Sequence, residues 1–404
     1  MRGQGRNLTL ATAAFLLCFS AWGMLAPLAP KLEDRLGLSN TQTAVMIAVP
    51  VVLGSLLRIP LGVLTDRLGG RKVFTAMLLY CALPPLLVGF ADSYGMLLVA
   101  GLLLGVSGAA FAIGVPFVSE WYPPQRQGQA LGLYGIGTAG TAISAWTMPA
   151  INDAWSQEAA GIIYSLVLLA FAGAWVSTAR NAPDHRPKTT PYGRVIRSGW
   201  TLWQLALFYF VAFGGFVAMS LYLPKLLTDW FDYSQTSSGA RAAGFVVVAA
   251  LVARPLGGRW ADRFGGQRVL SVAFFGVGLD AIGLSWQASD PSIVPVTIFC
   301  LTLAFFLGMG AGAVFKMVPA FFPETKGAVT GIVGAAGGLG GFFPPLLLGI
   351  VKDASGDYVM GFVFLVAFAW LCAGQALAVR EPRTSVPAPQ HGARAESPAQ
   401  RSTR

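Results

Sequence analysis

Two histidines in 404 residues, with charged residues at only 11% of the chain, leave little from which to build a metal centre, a histidine relay or a solvated enzyme surface. Both histidines, His185 and His391, fall in polar stretches outside the apolar body of the sequence. Cysteine is scarce as well. Cys18, Cys81, Cys300 and Cys372 lie at unrelated spacings inside apolar runs and read as small buried hydrophobes, with no disulfide or metal site. Gly-x-Ser-x-Gly, His-Glu-x-x-His and the phosphate-binding Gly-x-x-x-x-Gly-Lys-[Ser/Thr] pattern are missing too. A hydrolase, a metalloprotease or ATP coupling within this chain therefore has no footing, and no cofactor is expected.

What the chain has in excess is apolar residue, 55% of the total, with a mean hydropathy of +0.62. A helix needs about 20 apolar residues to cross a bilayer, and the runs at 8–30, 42–64, 73–91, 96–120, 128–150, 160–179, 201–226, 241–260, 269–288, 294–318, 328–350 and 359–379 meet that length. The fold class expected is all-α, a membrane protein of twelve transmembrane helices. The first run is too long for a signal-peptide core, carries Pro27 and Pro30, and reads as the first span.

A net charge of +10 and a pI near 9.7 invite a nucleic-acid reading, but the position of the charges points to topology. Arg67, Arg71, Lys72, Arg126, Arg180, Arg259, Arg263, Arg268 and Lys326 gather in loops on one side, which by the positive-inside rule places those loops and both termini in the cytoplasm. The expected partner is the lipid bilayer, with no nucleic acid. The glycosylation pattern at Asn7-Leu8-Thr9 falls on the same side and reads as accidental.

The chain repeats itself. "RIPLGVLTDRLGGRKV" from Arg58 is matched by "RPLGGRWADRFGGQRV" from Arg254, each with an Arg eight residues before an Asp-Arg-x-Gly-Gly block, at an offset of 196 residues. "WYPPQRQGQALGLYG" from Trp121 pairs with "FFPETKGAVTGIVG" from Phe321, offset by 200 at the prolines and 199 at the glycines. Two matched pairs indicate a duplicated chain: a six-helix bundle over 1–180, a polar linker over 181–200, a second bundle over 201–380, and a Pro/Ser/Gln/Arg tail over 381–404 that reads as disordered. Six plus six is the architecture of transporters whose halves rock about a central site.

"GVLTDRLGGRKV" resembles the loop signature between the second and third helices of the major facilitator superfamily, and "GGRWADRFGGQRV" its weaker copy after the eighth. The resemblance implies a functional monomer in a plasma (bacterial inner) membrane. It also implies a cytoplasmic latch of Asp66, Arg67, Arg126, Asp262 and Arg263, in which Asp66 pairs with cations such as Arg67 or Arg126.

Arginine inside a span marks a polar interior. Arg58 and Arg254 each lie eight residues, about 12 Å of helix, from the latch aspartate, so the repeat puts two guanidiniums at mid-membrane depth on the second and eighth helices. Two such cations repel unless an anion lies between them, and a planar fork of donors suits a small planar oxyanion. The glycines of "GQALGLYGIGTAG" and "GIVGAAGGLGG" allow close helix approach, narrowing the cavity for a few-atom substrate; ordinary small-residue packing is the plainer account.

With the paired arginines, these runs resemble the signatures of the nitrate/nitrite porter family. The resemblance implies nitrate or nitrite as substrate, and as substrate-binding residues Arg58, Arg254, Gly137, Thr138 (where the family pattern has asparagine), Gly337 and Gly338. Tyr209 and Phe213, four apart on one face of the seventh helix, join them, with Phe111 as a further cavity candidate. Lys316 sits in the tenth span, seven residues before Pro323, at a depth read as close to the arginines. It could draw anions, act as a proton-coupling handle or snorkel to the interface. Asp280 falls on the peripheral ninth helix and is not expected to carry protons. Antiport and proton symport both stay open. The competing readings are an organic-anion carrier or drug exporter, which would want a wider cavity, and an anion sensor that binds without transport.

Overall fold

The computed structural model describes residues 3–183, 195–197, 199–233, 235–355 and 358–379. Among the described residues all regular structure is helical. In order, the helices are α1 (Gln4–Ala29), α2 (Val45–Leu68), α3 (Gly70–Gly89), α4 (Tyr94–Trp121), α5 (opening as Gln127–Tyr134 and continuing to Ala154), α6 (Gln157–Thr178), α7 (Trp200–Phe231), α8 (Ser237–Phe264), α9 (Gly266–Gln287), α10 (Ile293–Phe321), α11 (Lys326–Ser355) and α12 (Val359–Ala378). Past a bend at Gly23, α1 runs on beyond the span as Leu25–Leu36. Ten of the twelve are long and apolar enough to cross a membrane by length and composition among the described residues. The expected span 128–150 falls short of that measure because Gly, Ser and Thr dilute the hydropathy of α5, but it is helical throughout; the expected span 328–350 is also helical throughout, with its side chains from 344 on outside the described residues. Most of the expected linker, including His185, and the tail 381–404 with His391 lie outside the described residues.

Exposed leucines, valines and phenylalanines cover the outward faces of α3, α6, α9 and α12, as at Leu83, Leu166, Phe275 and Leu371. Those faces suit lipid contact. The interface between halves is made by α2 against α11 and by α5 against α8. Glycine is what permits it. A Cβ on Gly62 would collide with the carbonyl of Gly327, and one on Gly331 with the carbonyl of Arg58; at the repeat-related interface Gly258 faces the carbonyl of Gly128, and Gly132 that of Arg254. Backbone lies directly on backbone, and the duplicated glycine runs are therefore the contact surface between halves.

Regular helix breaks down at one depth in three helices. Turns of 3-10 helix run over Val106–Ala109 in α4 and Gly135–Ala139 in α5, and a π-helical turn over Val248–Ala253 ends directly at Arg254. Such turns redirect backbone carbonyls that an unbroken α-helix would use internally.

Gly132→Ala and Gly331→Ala are expected to destabilise the protein by about 1–3 kcal/mol through overpacking. Gly173→Ala, where an added Cβ meets nothing, should be neutral or slightly stabilising. Thermal unfolding in detergent, compared across the three variants, checks this.

Candidate functional site

Arg58 and Arg254 are each 3% exposed and lie in the apolar middle of the molecule. An arginine at the bilayer centre costs about 2.5–3.5 kcal/mol on insertion scales, and the redirected carbonyls meet that cost. Arg58 donates from Nε to Gly108 O (3.2 Å), in the 3-10 turn of α4, and from a terminal nitrogen to Gly334 O (2.5 Å), across the interface on α11. Arg254 mirrors it. One terminal nitrogen donates to Gly135 O (3.2 Å) and Thr138 Oγ1 (3.1 Å) on α5, and the other to the Tyr209 hydroxyl oxygen (2.8 Å). At about 1.5–3 kcal/mol for a hydrogen bond to a charged group, these contacts hold each guanidinium in place. With five N–H donors per guanidinium, both arginines keep donors to spare.

The two cations converge on one ring. Each guanidinium carbon lies 5.2 Å from the centroid of Phe213, and that of Arg254 lies also 5.7 Å from Phe111. Phe111, Tyr209 and Phe213 form a parallel stack, with interplanar angles of 9° and 2° and centroid spacings of 6.1 and 5.0 Å. Phe315 stands edge-on to Phe111 and Tyr209 at 4.5 and 4.4 Å. Because the Tyr209 oxygen accepts from Arg254, its own proton is left to donate elsewhere. The chamber thus presents guanidinium edges, a phenol and flat aromatic faces within a few ångströms, a combination suited to a small planar anion.

The structure assigns the expected residues different neighbours. Arg58, Arg254, Tyr209, Phe213 and Phe111 come together, and Gly338 faces Arg58 and Ser55. Thr138 turns its hydroxyl to Arg254 and to Gly135 O, so it orients the arginine. Gly137 packs against Phe15 of α1, and Gly337 against the Tyr209 ring, so both serve helix approach. The neighbours that went unread are Gly108, Gly135, Gly334 and Phe315. Gly135 and Gly334 were visible as equivalent positions of the two repeats; Phe315 carried no signal beyond its place beside Lys316.

Lys316 requires a correction. Its stem lies against Gly128 beside the Asp262 carboxylate, about two helical turns of α5 from Gly135 and Arg254. Phe315 and Lys316 are consecutive on α10 and so point in different directions; the ring stands against Phe111 and Tyr209, and the lysine stem against Gly128. Asp280 is bonded through Oδ1 to the Thr302 hydroxyl (2.8 Å) on the α9–α10 flank.

The latch carboxylates are seated on backbone across the interface between halves. Asp66 accepts from the backbone N–H groups of Gly327 and Ala328 (both 3.0 Å), at the start of α11 in the other half. Asp262 accepts from those of Gly128 (2.9 Å) and Gln129 (2.7 Å), at the start of α5. Arg67, Arg126 and Arg263 are exposed, and Arg263 rests over Phe264 at 5.2 Å. A helix N-terminus suits a carboxylate because its first N–H groups have no intrahelical acceptor and its dipole end is positive. Lys326, 3.9 Å from Glu120 of α4, adds a cross-half ion pair at the same end.

Comparison with known proteins agrees with this architecture. Residues 10–345 match the Major Facilitator Superfamily. The chain is 40% identical to the probable nitrate/nitrite transporter NarK2 of Mycobacterium tuberculosis (strain CDC 1551 / Oshkosh), over 95% of this chain and 98% of that protein. It is 38% identical to the nitrite extrusion protein of Bacillus subtilis (strain 168), over 90% and 91%. With the probable nitrate transporter NarT of Staphylococcus epidermidis it shares 35% identity, over 90% and 93%. Among solved structures, human organic anion transporter MFSD10 superposes with a TM-score of 0.79 at 17% identity, over 93% of this chain and all of that one. The transporter FucP in its outward conformation gives 0.73 at 17%, over 93% and 99%. At that identity these two share the fold.

Asp66→Asn is expected to speed hydrogen exchange at the amides of Gly327 and Ala328 by about tenfold, and Asp262→Asn to do the same at Gly128 and Gln129, because each loses a charge-assisted bond. Exchange mass spectrometry on the start of α11 and of α5 reads each latch separately.

Proposed function

The chain belongs to the Major Facilitator Superfamily and, within it, to the nitrate/nitrite porter family, and from that premise we propose that it carries nitrate and/or nitrite across the plasma membrane by alternating access. It is a transporter and not an enzyme. The observation that carries the reading is the convergence of Arg58 and Arg254, one from each half, on the Phe213 ring. A trigonal anion over that ring would take N–H donors from both guanidiniums and the Tyr209 hydroxyl proton. Its negative charge would cancel the repulsion that otherwise opposes bringing the halves together. Small size is supported by the glycines: Gly337 against Tyr209 and Gly338 against Ser55 and Arg58 let the helices approach closely, which would narrow the cavity.

The halves, 1–180 and 201–380, would rock about this point with 181–200 as the connecting linker, both termini in the cytoplasm and each monomer holding a complete site. The latches at Asp66 and Asp262 would close the cytoplasmic side and release it on inward opening. Exchange of nitrate for nitrite fits the charges better than proton symport. The carboxylate Asp280 sits on the flank with Thr302, and Lys316 sits by the latch, so neither is placed to pass a proton to the anion.

Proteoliposomes with nitrite trapped inside and a pH dye present test this. The expected result is nitrate uptake that requires internal nitrite and leaves the dye unchanged. Arg58→Lys and Arg254→Lys should each lower uptake at subsaturating nitrate by about 10–100-fold, since a point charge cannot replace two directed hydrogen bonds. Uptake into empty vesicles with internal acidification would replace exchange by symport, and normal transport by both variants would overturn the site.

A further inference from the structure

At the end of the molecule away from the latch, the N-terminal half holds a second polar depression that the arginine chamber does not use. A cleft of about 240 Å³ is bounded by Leu28, Lys31, Leu32 and Arg35 on the extension of α1, Asn152 at the end of α5 and Glu158 in the first turn of α6. Pockets for drug-sized molecules run to roughly 300–1,000 Å³, so this one suits a smaller group. Every described lining residue belongs to one half, whereas a transport route runs between halves. The cleft therefore stands beside the route.

Its charge is mixed. Lys31 is ion-paired with Asp153, and Arg35 is pinned by a hydrogen bond to Ala91 O (2.7 Å), with the Glu158 carboxylate on the opposite wall. The Leu28 and Leu32 side chains are buried beneath these groups. A free anion gains little where carboxylates already balance the cations, but a group carrying both a phosphate and an amine meets both signs. The surroundings indicate the source of such a group. Trp155, 70% exposed, sits between the α5 and α6 wall residues as an aromatic does at a membrane interface. Phe90, next to Ala91 on the turn after α3, and Ile162 and Leu166 on α6 continue the same flank as exposed apolar surface.

We propose that this cleft binds the headgroup of a phospholipid bearing a primary amine. The phosphate would lie on Lys31 and Arg35 and the ammonium on Glu158, with the acyl chains along the exposed face of α3 and α6. The amine is the discriminating feature: an ammonium donates hydrogen bonds to Glu158, and a trimethylated choline does not.

Native mass spectrometry of the full chain, delipidated and then offered phosphatidylethanolamine, phosphatidylcholine or phosphatidylglycerol in mixed micelles, reads the site directly. One phosphatidylethanolamine should be retained about tenfold more strongly than phosphatidylcholine, the size of one charge-assisted hydrogen bond. Glu158→Gln should erase that preference, and Arg35→Gln should lower retention of both lipids. Both side chains are exposed, and a melting curve without lipid verifies the fold of each variant. If Arg35→Gln is unstable through loss of the Ala91 contact, Arg35→Lys together with Glu158→Gln decides the matter. Equal retention of the two zwitterionic lipids, a stronger retention of phosphatidylglycerol, or a phosphatidylethanolamine preference that survives Glu158→Gln would overturn the proposal.

Discussion

Arg58 and Arg254 are held in the apolar centre of the bundle with their guanidiniums over a single phenylalanine ring, and the rest of the structure is arranged around keeping them there. Among the described residues neither is paired with a carboxylate; both are held by backbone carbonyls, joined at Arg254 by the Thr138 and Tyr209 hydroxyls. The 3-10 turns at Val106–Ala109 and Gly135–Ala139 supply Gly108 O and Gly135 O, the regular helix α11 supplies Gly334 O, and the π-helical turn at Val248–Ala253 leads into Arg254 itself. Holding each cation on backbone of the opposite half is thus the constraint.

The same constraint explains the glycine content. For Arg58 on α2 to reach Gly334 on α11, and Arg254 on α8 to reach Gly135 on α5, the helix pairs across the interface must touch backbone to backbone. Gly62, Gly331, Gly132 and Gly258 make that possible, at positions related by the sequence repeat. The interface that brings the arginines to their carbonyls also seats Asp66 and Asp262 on opposing helix N-termini at one end. Site and latch are consequently coupled through four rigid helices: a shift that separates α2 from α11 disturbs both at once. In the proposed function, this coupling lets an anion of a few atoms bias the arrangement of two whole bundles.

Much of this was legible in the sequence because duplication supplies an internal comparison. The offset of 196 residues marked Arg58 and Arg254 as equivalent, and the glycine runs announced close approach. What could not be read was direction. Thr138 and Gly137 are neighbours in one motif, yet one faces Arg254 and the other Phe15, because a change of a single position rotates a side chain about a third of the way round a helix. Lys316 differs in depth, its stem lying against Gly128 beside Asp262 and about two helical turns of α5 from Gly135. The backbone partners of Asp66 and Asp262 could not be read because a backbone N–H leaves no letter in the sequence.

The central claim is that one anion is gripped by both arginines over Phe213. An experimental structure of the purified protein with nitrate, at a resolution that shows a planar group, tests it most directly. The account predicts flat density stacked on Phe213, within hydrogen-bonding distance of Arg58, Arg254 and the Tyr209 hydroxyl. Density on one arginine alone, or bound elsewhere with both guanidiniums keeping only their protein partners, would contradict it.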